Sequence, residues 1–171
     1  MKTTPHIYVA CLAAYNAGIL HGAWIDATQE TNQIWSEVEN MLQSSPIANA
    51  EEYAIHDYEG FEGIRLSEYS GMEETHQLAC FVEEHGKLGA AVLDYYVSDL
   101  DTTVESLTHC YAGVYSSLTE FAETFTNDMV NIPNEIIYYV DYLRMGQDME
   151  IEGVIFTVET AFDEVHVFFE S

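Results

Sequence analysis

The chain has 171 residues and carries 30 Asp and Glu against 4 Lys and Arg, a formal net charge of −26 at pH 7. Four scattered cations, Lys2, Arg65, Lys87 and Arg144, cannot neutralise a phosphate backbone or an anionic bilayer, which excludes direct binding to nucleic acid or to a membrane surface. With 48% hydrophobic and 13% aromatic residues the chain is too apolar for a disordered acidic segment, and no run of about 18 apolar residues offers a membrane span.

In chain order, His6–Leu12 alternates as a strand and ends at the turn-prone Tyr15-Asn16-Ala17-Gly18. Pro5, His6, Tyr8 and Asn16 interrupt the apolar N-terminus, which therefore reads as strand and turn, not as a signal peptide. Gly22–Ala27 is a second strand. Ile34, Trp35, Val38, Met41 and Leu42 recur at helical spacing until Ser44-Ser45-Pro46 stops them. Tyr53–Tyr58 is a third strand, left at Gly60 and Gly63. These elements form an α+β domain over residues 1–62.

Residues 63–107 read as a central helical domain. Ser70 and Glu73 have the spacing of a capping box, ahead of Leu78, Phe81 and Val82, with Gly86 as the stop. Leu88, Ala91, Val92, Tyr95 and Tyr96 form a second apolar stripe, and Thr102 with Glu105 offers another box before Leu107. From residue 108 to 171 a second α+β domain is expected. It comprises a strand over His109–Tyr115, a helix boxed by Ser117 and Glu120, and a helix begun at Pro133 that carries Ile136, Ile137, Val140 and Leu143 to Gly146. Strands over Val154–Val158 and Val165–Phe169 close it. Gly22-Ala23-Trp24 and Gly113-Val114-Tyr115, each before an acidic helix, hint at two related modules.

Little in this pattern suggests catalysis. His56-Asp57 would sit on opposite faces of a strand, so the pair cannot share a hydrogen bond simply. Cys11, Cys80 and Cys110 are odd in number and form no C-x-x-C pair, which fits buried thiols in a reducing cytoplasm better than disulfides or zinc. Asp99-Leu100-Asp101 lacks the remaining positions of a calcium loop. No nucleotide-binding or nucleophile-elbow motif occurs, so no catalytic residue, metal or cofactor is expected.

The acids are spread evenly, with eight in residues 1–60, ten in 61–109 and twelve in 110–171. On helices, carboxylates three or four positions apart lie about 5–6 Å from one another, close to the phosphate spacing of one DNA strand. Matched to the charge density of B-DNA, 30 acids correspond to about 15 base pairs, on the order of 50 Å of duplex. The carboxylates expected to make this polyanionic face are Glu37, Glu39, Glu51, Glu52, Glu59, Glu62, Glu68, Glu73, Glu74, Glu83, Glu84, Asp94, Asp99, Asp101, Glu105, Glu120 and Glu123. The twelve tyrosines read mostly as amphipathic residues at the core edge, with the alternative that some sit at a dimer or partner interface. Phe121, Phe125, Tyr138 and Tyr139 are the candidates for a contact between copies.

Several segments resemble the ArdA family of antirestriction proteins. They are Tyr15-Asn16-x-Gly18, Gly22-x-Trp24-Ile25-Asp26, and Ala54-Ile55-His56-Asp57-Tyr58-Glu59-Gly60-Phe61. Tyr139-Val140-Asp141-Tyr142 followed by Gly146-Gln147-Asp148-Met149 is similar to the family's antirestriction motif, with Gln147 where the motif carries Arg. The resemblance marks Tyr139, Asp141, Tyr142, Gly146 and Asp148 as motif residues. It implies three small domains in a row, an elongated homodimer, and a DNA mimic that fills the DNA-binding groove of type I restriction–modification enzymes, on their specificity and modification subunits. It also implies carriage on conjugative plasmids or transposons. Composition alone leaves two alternatives open, an acidic chaperone or interaction module for a basic protein and an enzyme acidic only for solubility in high salt.

Overall fold

The computed structural model describes residues 3–170. Among them the chain is α+β, with six α-helices and two three-stranded antiparallel sheets. It divides after Ala90 into two compact units, a division inside the 63–107 stretch. No helix among the described residues is long and apolar enough to cross a membrane.

In the first unit, β1 (His6–Cys11) lies between β2 (Gly22–Asp26) and β3 (Tyr53–Glu59). Alternation sends Ile7, Val9 and Cys11 inward, where all three are fully buried. Tyr8 faces Trp24 across the outer side of the sheet, ring centroids 5.5 Å apart. A five-residue helix, α1 (Leu12–Asn16), takes up Leu12 and the first half of the expected Tyr15–Gly18 turn, which Ala17 and Gly18 complete, and Ala14 carries its buried face. α2 (Thr31–Gln43) presents Ile34, Val38 and Met41 to the core at the i, i+4, i+7 spacing that the sequence announces. α3 (Met72–Tyr95) adds Met72 and Ala79 to that core. Each large side chain so buried contributes about 1.5–3 kcal/mol.

The stop expected at Gly86 is met: its φ of 60° and ψ of −147°, open to glycine alone at low cost, break α3 there, and a second helical stretch runs on to Tyr95. The box at the start of α3 is not formed. The Ser70 hydroxyl accepts from the Ser67 backbone N–H at 3.0 Å, so it serves the preceding turn instead.

In the second unit, α4 (Leu100–His109) starts earlier than Thr102. Asp99 is the cap, accepting from the Thr102 N–H at 3.0 Å, and Thr102 is already helical. His109 ends α4, so the strand β4 is Tyr111–Tyr115. α5 (Leu118–Met129) is capped by Ser117, which accepts from the Glu120 N–H. Glu120 returns the bond to the N–H and hydroxyl of Ser116, one residue before the cap.

The helix expected from Pro133 to Gly146 does not exist in that form. Residues near Pro133 make a short 3-10 turn (Ile137–Tyr139), and α6 (Tyr142–Ile151) begins only where Asp141 accepts from the Arg144 N–H at 2.9 Å. Gly146 lies inside α6, because its backbone presses on α5; a Cβ there would stand 2.7 Å from Leu118 Cγ. The sheet is completed by β5 (Ile155–Ala161) and β6 (Glu164–Phe169) in the order β4-β6-β5.

Sheet alternation gives the second unit two apolar layers. Phe121, Ile155 and Val167 form one with Phe125 and Phe169. On the other face Tyr95 stacks on Phe156 at 4.0 Å, Phe156 on Phe168 at 4.9 Å, and Phe168 meets Tyr111 at 4.9 Å. The two units are not copies. The first sheet is centred on its first strand and the second on its last, so the echo between Gly22 and Gly113 reflects local composition, not a shared topology.

Candidate partner-binding surface

All 30 acids lie within the described residues; Asp26, Glu62 and Asp148 are half-buried, and the other 27 are exposed. In the first unit Glu37 and Glu39 stand on the outer side of α2, and Glu51, Glu52 and Glu59 flank β3. Glu62 sits in the turn after β3 at φ 50°. Glu68 lies in the following loop, while Glu73 and Glu74 occupy the first turn of α3, where the helix dipole favours them. Glu83 and Glu84 precede the kink. In the second unit Asp94, Asp99, Asp101 and Glu105 follow one another across the end of α3 and α4, and Glu120 and Glu123 lie on α5.

Several of these acids also hold local structure. Glu37 accepts from Gln29 at 2.7 Å, and Glu73 from the Trp35 indole at 3.3 Å. The Thr102 backbone N–H holds the Asp99 carboxyl below the usual carboxylate range, and the Ser116 hydroxyl and N–H do the same for Glu120. Of the four cations, Lys2 lies outside the described residues. Arg144 makes the single Lys/Arg–carboxylate pair found among the described residues, to Asp148 at 3.0 Å. Nearly all the negative charge is therefore left to counterions or to a partner.

The C-terminal motif has a structural logic of its own. Asp141 caps α6, Arg144 reaches one turn on to Asp148, and Gly146 admits α5. The Tyr142 hydroxyl is buried with no hydrogen-bond partner among the described residues. Gln147 is exposed. Tyr138 and Tyr139, within the 3-10 turn, are 91% and 86% exposed. Of the four residues expected at a seam, Phe121 is misplaced. It is 1% exposed and stacked inside the second core, while Phe125 is half-buried against it at 5.7 Å. Apolar periodicity marks a helix face but cannot say whether that face is already covered.

His56 and Asp57 do part across β3. His56 packs edge-on against Tyr15 and lies 3.9 Å from Glu68, whereas Asp57 accepts from the Tyr58 N–H. Cys80 lies 3.7 Å from His76, but burial, with Glu83, Glu30 and Asp26 nearby, pushes its thiol pKa up and away from a nucleophilic thiolate.

Tyr95 gives a pH signature. Its hydroxyl donates to Glu170 at 2.7 Å, and that bond, with burial, pushes its pKa up to about 12. A pKa raised above the unfolded value of about 10 supplies stability present below pH ~10 and lost as pH rises through ~12. Tyr95→Phe is therefore expected to flatten the alkaline fall in melting temperature across that window, read by circular dichroism.

The aromatic ladder from Tyr95 to Tyr111 and the capping role of Asp141 were not legible in the sequence. The tyrosine pairs and the Asp-x-x-Arg spacing were the available signals. Residues 7–164 match a protein-family model described as Antirestriction protein (ArdA). Comparison with curated proteins finds no match.

Proposed function

We propose, starting from a chain that belongs to the ArdA family of antirestriction proteins, that its carboxylates occupy the DNA-binding groove of type I restriction–modification enzymes. Antirestriction by DNA mimicry, without catalysis, follows from the family. The observation that carries the finer reading is the surface itself, 27 exposed carboxylates with one Arg pair among the described residues. A groove lined by Lys and Arg to hold phosphates attracts such a surface over long range, and binding releases the counterions of both partners.

On this reading the specificity and modification subunits are the contacts. The chain works in the cytoplasm, is carried by a conjugative plasmid or transposon, and acts as a homodimer of three-module protomers (1–62, 63–107 and 108–171). Tyr138 and Tyr139 supply its seam. The test is competition for a purified type I enzyme. Bound DNA should be displaced, with an apparent inhibition constant that rises in proportion to DNA concentration. A ternary complex of enzyme, DNA and this protein would refute the reading.

A surface that imitates a polyanion spreads its binding energy. Glu84→Gln is expected to change affinity by less than about 1 kcal/mol, whereas neutralising Glu73, Glu74, Glu83 and Glu84 together should accumulate. Isothermal titration against the enzyme would measure both, and collapse on a single neutralisation would indicate a discrete site instead.

A further inference from the structure

The most exposed large apolar side chain among the described residues is Phe162, at 93%. It stands on the two-residue turn Phe162-Asp163 between β5 and β6, where Ala161 pairs with Glu164. Three exposed carboxylates, Glu159, Asp163 and Glu164, surround it in sequence.

This tip is braced. The β5–β6 ladder slips between Glu159 and Ala161, which turns the strand at Thr160. The Thr160 hydroxyl donates to Glu164 Oε2 at 2.7 Å across the hairpin and accepts from His166 Nε2 at 2.9 Å. His166 Nδ1 in turn accepts from the Tyr111 hydroxyl at 2.7 Å. His166 is buried, and burial lowers its pKa, so the neutral imidazole keeps this directed chain of bonds intact. Asp163 takes the left-handed conformation, φ 57°, that Asp tolerates better than most residues. The turn that carries the ring is thus fixed before any partner arrives, and little of the turn's own ordering entropy remains to be lost on contact.

A flat apolar plane set among carboxylates is the chemistry of a nucleotide, a base face beside phosphates. Enzymes that modify DNA draw the target base out of the duplex into a pocket walled by aromatic and apolar groups. We propose that Phe162 is a nucleobase surrogate, seated in the base pocket of the modification subunit while Glu159, Asp163 and Glu164 meet the cations around it. This rests on the DNA-mimic reading above.

The test compares wild type, Phe162→Ser, Phe162→Trp and Glu159→Gln as competitors of DNA for the intact type I enzyme over a range of salt, with circular dichroism to establish folding. Phe162→Ser is expected to weaken inhibition about ten-fold or more, the scale of one base–aromatic stack. It should leave the slope of log K against log salt unchanged, because no charge is lost. Phe162→Trp should retain affinity, and Glu159→Gln should reduce the slope. Inhibition by Phe162→Ser within two-fold of wild type overturns the proposal, as does a halved sedimentation mass, which would assign the ring to a contact between copies. Failure of the wild type to displace DNA would instead overturn the mimicry itself, so the two failures are distinguishable.

Discussion

Raising salt from about 50 mM to about 200 mM is expected to weaken the protein's own binding to a type I enzyme by at least about a hundred-fold. DNA-binding proteins that neutralise six to ten phosphates lose about 10³–10⁵ over that range, because each neutralised phosphate releases a counterion whose entropy gain shrinks as salt rises. The protein presents 27 exposed carboxylates, so its own slope should likewise lie far from zero. The charge ledger makes this demanding, since Arg144–Asp148 is the one Lys/Arg pair found to offset it among the described residues. Equilibrium competition against labelled duplex, with the duplex's own affinity measured at the same four salt concentrations, yields the slope. A flat line would remove electrostatic mimicry as the mechanism and leave an apolar contact to explain the affinity.

What the sequence revealed, and what it hid, divides along the range of the interactions involved. The α2 stripe of Ile34, Val38 and Met41, the alternation of β1 and the Ser117 cap are decided within a few residues, and each is where local reading puts it. Ser70 had the right spacing for a cap but found Ser67 a better partner, and Asp99 displaced Thr102 by standing three residues earlier. Gly146 illustrates a different failure. A glycine near a helix end reads as a stop, yet here it is retained inside α6 because Leu118, from another helix, leaves no room for a Cβ. The orders β2-β1-β3 and β4-β6-β5 are non-local and carry no signature in composition. For the surface the asymmetry runs the other way. Carboxylates must face water, so their exposure was legible, while an apolar residue such as Phe162 reads as core until its neighbours are known.

The same distinction sets the second large effect, at the proposed seam between copies. Phe121→Asp and Tyr139→Asp introduce the same charge into the same unit, but the outcomes should be opposite. Phe121 is 1% exposed inside the second core, and an ionised carboxylate there has no partner, so loss of the folded unit is expected, at several kcal/mol. Tyr139 is 86% exposed, so its replacement should change monomer stability by less than about 1 kcal/mol. If Tyr138 and Tyr139 form the seam, that charge should nevertheless abolish dimerisation. Protomers of net charge −26 repel, so the contact must be apolar, and one more carboxylate in it goes unpaired. Repulsion between copies is screened by salt, as is attraction to the basic groove, but with opposite sign for binding. Added salt should strengthen the wild-type dimer while it weakens the inhibitory complex. Sedimentation velocity on wild type and Tyr139→Asp, with circular dichroism on both, separates these effects. A wild-type chain that sediments as a monomer at micromolar concentration and moderate salt would refute the assembly, and a Tyr139→Asp chain that remains a dimer would place the seam elsewhere.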